Sequence, residues 1–204
     1  MDKYNFNTGD ILLCIGKKNR GGIINNLYCF IDDIIQYFSN SIYTHCGIIL
    51  KDPMINDIKM KGIYVWESSL VYNYVDSPGY KPGVKVVPVE EFIEKYNGYI
   101  DYRKIKLNHI IYESAINKIN ETVKNKPYDI VPYHWLEAAF HIDLTPQRTD
   151  RFWCSALLGY VFVKLELLPK KVDWSILSPG EFSSCGDLEK KYINCSFEKE
   201  LRIK

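Results

Sequence analysis

No tight cysteine pair occurs in this sequence. The six cysteines, at positions 14, 29, 46, 154, 185 and 195, never fall in a C-x-x-C spacing, which removes the usual framework of a structural zinc site. G-x-S-x-G is absent as well, so a serine hydrolase built on a nucleophile elbow is excluded. The glycine patterns that cradle a nucleotide phosphate or a dinucleotide are also missing. The longest apolar run, Ala156 to Val163, ends at Lys164 and is too short to span a bilayer. The opening residues, Met1 to Asn7, hold no apolar leader run. A cytoplasmic location with mostly reduced thiols is therefore expected. Strong charge of either sign is missing: 26 basic against 25 acidic side chains leave a formal +1, which argues against a nucleic-acid footprint.

What is present suits one globular domain over residues 1–204. Apolar residues make up 47% and charged residues 25% of the chain, enough to bury a core without staples. A Gly9-Asp10 turn feeds an apolar strand over 11–15. Leu27, Phe30, Ile31, Ile34, Ile35 and Phe38 recur at helical steps, which predicts an amphipathic helix over 23–38. Strands follow at 43–50 and 63–70, with a hairpin connection between them. Asp76 to Gly83 carries the turn residues of a surface loop. Beyond it come a strand over 84–89, one or two helical turns over 90–96 and a strand over 99–107. Asn108 is positioned to cap a helix reaching Asn125, with His109 exposed in its first turn. A short helix is expected over 133–141, and His134 and His141 there have no carboxylate arranged with them in a metalloprotease pattern. Asp173 to Phe182 reads as a structured turn with a short helix from Pro179, and 195–203 as an edge strand. Helices and strands in this order make an α+β fold.

Three residues share a chemical logic. Cys154 opens a run that is apolar almost throughout, with Thr149 or Asp150 available as the helix cap. A cysteine in the first turn of a helix meets free N–H groups and the positive end of the dipole, and both favour the thiolate. Its backbone N–H can also serve as half of an oxyanion hole. Alone, Cys154 would be read as a small buried hydrophobe. His45 begins a strand, where a lone histidine is usually structural. Glu67 lies inside the apolar strand 63–70, where a carboxylate is unfavourable unless paired. Read together, a thiolate attacks a carbonyl, an imidazole moves the proton and a carboxylate orients the ring. His45-Cys46 also suggests metal binding, but no second ligand pair lies at a suitable spacing, so neither a metal nor a cofactor is expected.

The order of motifs carries a resemblance. Gly9-Asp10, Thr44-His45-Cys46-Gly47-Ile48, Trp66-Glu67-Ser68, Lys126-Pro127-Tyr128-Asp129, Trp153-Cys154-Ser155 and Ser178-Pro179-Gly180-Glu181-Phe182 follow one another along the chain. This resembles the circularly permuted branch of the NlpC/P60 papain-like superfamily, which includes YiiX/YebB-like proteins, a poxviral group and, more distantly, lecithin retinol acyltransferase-like proteins. In that branch the cysteine follows the histidine. The resemblance implies a small antiparallel sheet or barrel packed against a central cysteine-bearing helix. It assigns Cys154 as nucleophile, His45 as base and Glu67 as the partner that orients it, and it gives Asp10 and Tyr128-Asp129 supporting positions. It implies a cysteine hydrolase, a peptidase or amidase working through a thioester, with acyl transfer to or from a lipid as a variant. Peptide, amide or lipid substrates and transient contact with a membrane surface are the implied partners. The poxviral resemblance also implies host cytoplasm or a virion as settings. Ala156 replaces the acidic residue that often follows Cys-Ser in bacterial members. Tyr43, Trp66 and Trp153 are candidates to line an apolar cleft. The competing expectation, from a different class, is a non-catalytic binding or virion-associated module with the same fold.

Overall fold

The computed structural model describes residues 4–17, 41–69, 82–129 and 147–204. The helix expected over 23–38, most of the 76–83 loop and the 133–141 segment with His134 and His141 lie outside the described residues.

A six-stranded antiparallel sheet organises the described chain. Its strands are β1 (Ile11–Gly16), β2 (His45–Lys51), β5 (Ile63–Ser69), β6 (Gly83–Pro88), β7 (Gly98–Arg103) and β10 (Leu201–Arg202), in the spatial order β10-β7-β1-β2-β5-β6. Two short strands, β3 (Met54–Ile55) and β4 (Ile58–Lys59), form the hairpin between β2 and β5. Two others, β8 (Ile105–Leu107) and β9 (Cys195–Phe197), form a separate ribbon. Helix α1 (Val89–Lys95) follows β6, α2 (Glu113–Val123) follows β8, and α3 (Cys154–Lys164) is the cysteine helix. The fold is mixed α+β with an antiparallel sheet.

Period-two alternation gives the sheet two buried faces. Ile11, Leu13, Cys46, Ile48, Leu50 and Trp66 face one core, which holds α3. Leu12, Cys14, Ile49 and Val65 face the other, with Val89 and Phe92 of α1 and Phe6. Helix α3 is buried from Cys154 through Phe162. A helix apolar on all sides must be central to its fold. Gly159 lets it approach Trp174 and Leu177, since a Cβ there would stand 2.7 Å from Leu177 Cδ1. Buried Arg103 ties the sheet to the C-terminal turns through Glu189 and the carbonyls of Phe182 and Glu198.

Three expectations are corrected. The strand expected over 99–107 divides at Lys104. The Ile105 N–H bonds Asp10 Oδ1 at 2.8 Å, and the chain then leaves the large sheet to pair with β9. Asn108 caps no helix: α2 starts at Glu113 after Tyr112, so His109 precedes the helix and is exposed. Neither Thr149 nor Asp150 caps α3. Trp153 holds the cap position without a side-chain bond, and Asp150 is held by Arg148 and Arg151. The short helix at Pro179 is a 3₁₀ turn, Pro179–Phe182, closed by a capping box between Ser178 and Glu181. The tail gives two short strands, of which β10 forms an edge of the large sheet.

Candidate active site

The site lies where β2 begins, β5 ends and α3 starts. His45 is the first residue of β2, and Glu67 lies on β5 next to the paired residues Ile48 and Trp66. Gly47 allows the two strands to close here. A Cβ on Gly47 would stand 2.6 Å from Val65 Cγ1 and 3.7 Å from Glu67 Cβ. The His45 Nε2–H donates to Glu67 Oε2 at 2.5 Å, which leaves Nδ1 as the ring nitrogen for a second partner. The glutamate is 3% exposed and the histidine side chain 14%. Phe92 and Tyr96 stack beside the imidazole, with centroids 6.2 and 6.3 Å away.

Tertiary hydrogen bonds place α3 against this strand end in the absence of a local cap. Gly83, at φ +141°, pairs with Pro127, where any side chain would strike the Lys126 carbonyl 2.2 Å away. Tyr128 bridges Phe152 in turn, and the Phe152 N–H bonds the Pro127 carbonyl at 3.1 Å. Ser68 Oγ–H donates to the Phe152 carbonyl at 2.7 Å. Ser155 Oγ–H donates to the Leu177 carbonyl at 2.6 Å. The residues on both sides of Cys154 are thus anchored, one of them directly to β5. Strict alternation would assign His45 and Cys46 to opposite faces of β2. Both nevertheless act on the Cys154 thiol.

Cys154 is 4% exposed. Its thiol is held well below the usual thiol range. The Cys46 thiol donates to it, burial opposes ionisation, and the His45 charge and hydrogen bond together with the Cys46 backbone N–H outweigh that opposition. The helix N-terminus acts in the same direction. Burial alone would lower the basicity of His45, but the negative Cys154 and Glu67 and the bonds to them push it up to about 10. Burial would raise Glu67, yet its bond to His45 and the charges of His45 and Lys85 bring it below its ordinary value. Cys46 stays a neutral donor because burial and the Cys154 charge raise it well above the thiol range. These directions describe a buried thiolate–imidazolium pair with a carboxylate behind the ring.

The structure therefore brings together the three residues singled out from the sequence. Asp10, expected in support, is a buried acceptor for the Asn7 and Ile105 N–H groups and the Tyr102 hydroxyl. Asp129 is buried, and its N–H bonds the Phe152 carbonyl at 3.2 Å. Tyr43, Trp66 and Trp153 are buried in the core that holds α3. Sequence reasoning missed Cys46 as a thiol donor, Lys85 beside Glu67, the rings of Phe92 and Tyr96, and the Ser68 anchor. Lys85 had a visible signal as the one charge among Val84, Val86 and Val87, but its partner follows only from the strand register. Among the described residues, no group of three or more His, Cys, Asp or Glu is placed to hold a metal ion, and no helix is long and apolar enough to cross a membrane.

No family model matches this sequence, and no curated protein matches it.

Proposed function

We propose that this chain is a cysteine hydrolase of the permuted papain-like kind, acting on an amide, peptide or ester carbonyl. The observation that carries this reading is the buried His45–Glu67 hydrogen bond next to Cys154, with the thiol shifted toward thiolate and the imidazole toward imidazolium. In the first half-reaction the Cys154 thiolate adds to the carbonyl carbon. The oxyanion that forms is met by N–H groups of the first turn of α3, which have no acceptor within the helix. His45 gives its proton to the leaving amine or alcohol as the carbon–heteroatom bond breaks, leaving a Cys154 thioester. In the second half, neutral His45 takes a proton from water, the hydroxide adds to the thioester, and the acid leaves as the thiolate re-forms. Glu67 keeps the ring in the tautomer and orientation that both halves require. An acyl acceptor other than water would use the same first half.

An activated aryl ester tests this reading without knowledge of the natural substrate. Mixing excess p-nitrophenyl acetate with the folded protein should give a burst of p-nitrophenol near one equivalent of protein, with the acetyl group mapped to Cys154 by peptide mass spectrometry. Cys154→Ala should abolish the burst while the circular dichroism and melting curve stay close to the parent. Acetylation scattered over several side chains, or a burst that survives Cys154→Ala, would reject the hydrolase reading in favour of a binding module.

A further inference from the structure

Lys85 is a second buried charge at this site, with no part in the reaction steps above. It lies on β6 directly across the ladder from Glu67. Its ammonium stands 3.5 Å from Glu67 Oε1 and donates to Ser69 Oγ at 2.5 Å. The Lys85 and Glu67 side chains are only 15% and 3% exposed. Glu67 therefore divides its two oxygens, Oε2 to the imidazole and Oε1 to the lysine. Water screens a pair this buried far less than it screens a surface pair.

Resting on the proposed hydrolase reading, we infer that Lys85 is a positioning residue that keeps Glu67 ionised and aligned behind His45. Charges then alternate along the buried row: thiolate at Cys154, imidazolium at His45, carboxylate at Glu67, ammonium at Lys85. The row is neutral as a whole, which allows it to be buried. Removing the ammonium leaves a net negative row. That disfavours the thiolate by repulsion and favours protonation of Glu67, which then loses its hold on the imidazolium. Both consequences make the Cys154 thiol harder to ionise. Burial costs Lys85 part of its own basicity, which falls to about 8 while Glu67 opposes the fall. A lysine kept in such a place is consistent with an electrostatic task. Among the described residues, the ionisable groups that feel Glu67 besides Lys85 are His45 and Cys46 from β2 and Cys14 from β1, and burial holds both of these thiols neutral. From α1, Phe92 and Tyr96 flank the imidazole.

The test is the pH dependence of Cys154 alkylation by iodoacetamide, read residue by residue on the folded protein. Lys85→Met, close in volume but uncharged, should raise the Cys154 midpoint by about one pH unit, the size expected for a lost neighbouring charge. Lys85→Arg should restore it. A purely structural lysine would lower the folded fraction without moving the midpoint, and that result would overturn the inference. Should Lys85→Met not fold, Lys85→Gln, which keeps a donor toward Ser69, replaces it. The same rise in the Cys154 midpoint is expected, and an unmoved midpoint would overturn the inference. The two readings fail separately. An unactivated Cys154 in the parent protein removes the hydrolase reading, whereas an activated parent with an unshifted Lys85→Met removes only the role of Lys85.

Discussion

Asp10 and Glu67 are two carboxylates buried in one sheet, and their surroundings differ in kind. Asp10 is fully buried and accepts from two backbone N–H groups and a tyrosine hydroxyl, all within 2.8 Å. Those donors are neutral, and burial raises Asp10 above its ordinary value despite them. Glu67 is almost as buried but lies between an imidazole and an ammonium, and it is lowered. Burial of a carboxylate does not by itself mark a working site. What distinguishes the two is whether the partners can change charge. Asp10 fixes backbone where β1, β7 and β8 meet, whereas Glu67 belongs to a row of ionisable groups that ends at a nucleophile.

The largest effect expected from breaking this contrast is on stability. Asp10→Ala leaves three donors without their acceptor, two of them buried, at ~1–3 kcal/mol for each buried unsatisfied group. A loss of ~3 kcal/mol or more is expected in urea denaturation at neutral pH, with the Cys154 alkylation midpoint unmoved in the protein that remains folded. A shifted midpoint would show that Asp10 and Glu67 are not separate devices.

Glu67→Gln is expected to add a clear change in chemistry to its loss of stability, since it leaves the His45 and Lys85 charges without their shared carboxylate. The amide can still accept from the His45 Nε2–H but carries no charge for the imidazolium. The rate of the acetyl burst should fall roughly tenfold, equivalent to ~1.4 kcal/mol in the barrier. The pH dependence of stability separates the two carboxylates further. Glu67 is lowered in the fold, so its contribution is fully present above its ordinary value of 4.5 and is lost as pH falls through the folded value. Asp10 is raised above 3.8, so its protonation on acidification favours the fold. Glu67→Gln should therefore flatten the acid loss of stability, as followed by melting temperature against pH.

The smallest effect is expected at Ser68, which holds the cysteine helix to β5. Ser68→Ala removes one buried hydrogen bond to the Phe152 carbonyl, worth about 1 kcal/mol of stability. A modest fall in burst rate should accompany it, since the neighbouring Pro127 and Tyr128 contacts also anchor this segment. A collapse of the burst would show that this single bond sets the position of Cys154.

Much of the sheet could be read in the sequence, because β1, β2, β5 and β6 are short, largely apolar runs bounded by turn residues. His45, Cys154 and Glu67 stood out by chemical type, and the fold brings them together. The helix starts were less legible. Thr149, Asp150 and Asn108 have good capping chemistry, but α3 is positioned by Phe152, Pro127 and Ser68, contacts between residues far apart in the chain. The break at Lys104 was hidden for the same reason, since the Asp10 side chain takes the Ile105 N–H from a distant part of the sequence. Lys85 and Cys46 needed the register and the helix placement before their partners could be named.

The most direct test of the central claim is residue-resolved iodoacetamide alkylation of the folded parent protein and of His45→Ala, from about pH 5 to pH 9. The thiolate–imidazolium pair should persist from the low Cys154 value up to about 10, where His45 loses its proton. Cys154 is therefore expected to react below neutral pH, ahead of the exposed Cys185, and His45→Ala should move its midpoint up toward that of an ordinary thiol. If Cys154 instead reacts only as ordinary thiols ionise, and His45→Ala leaves it unchanged, the account of an activated nucleophile is contradicted.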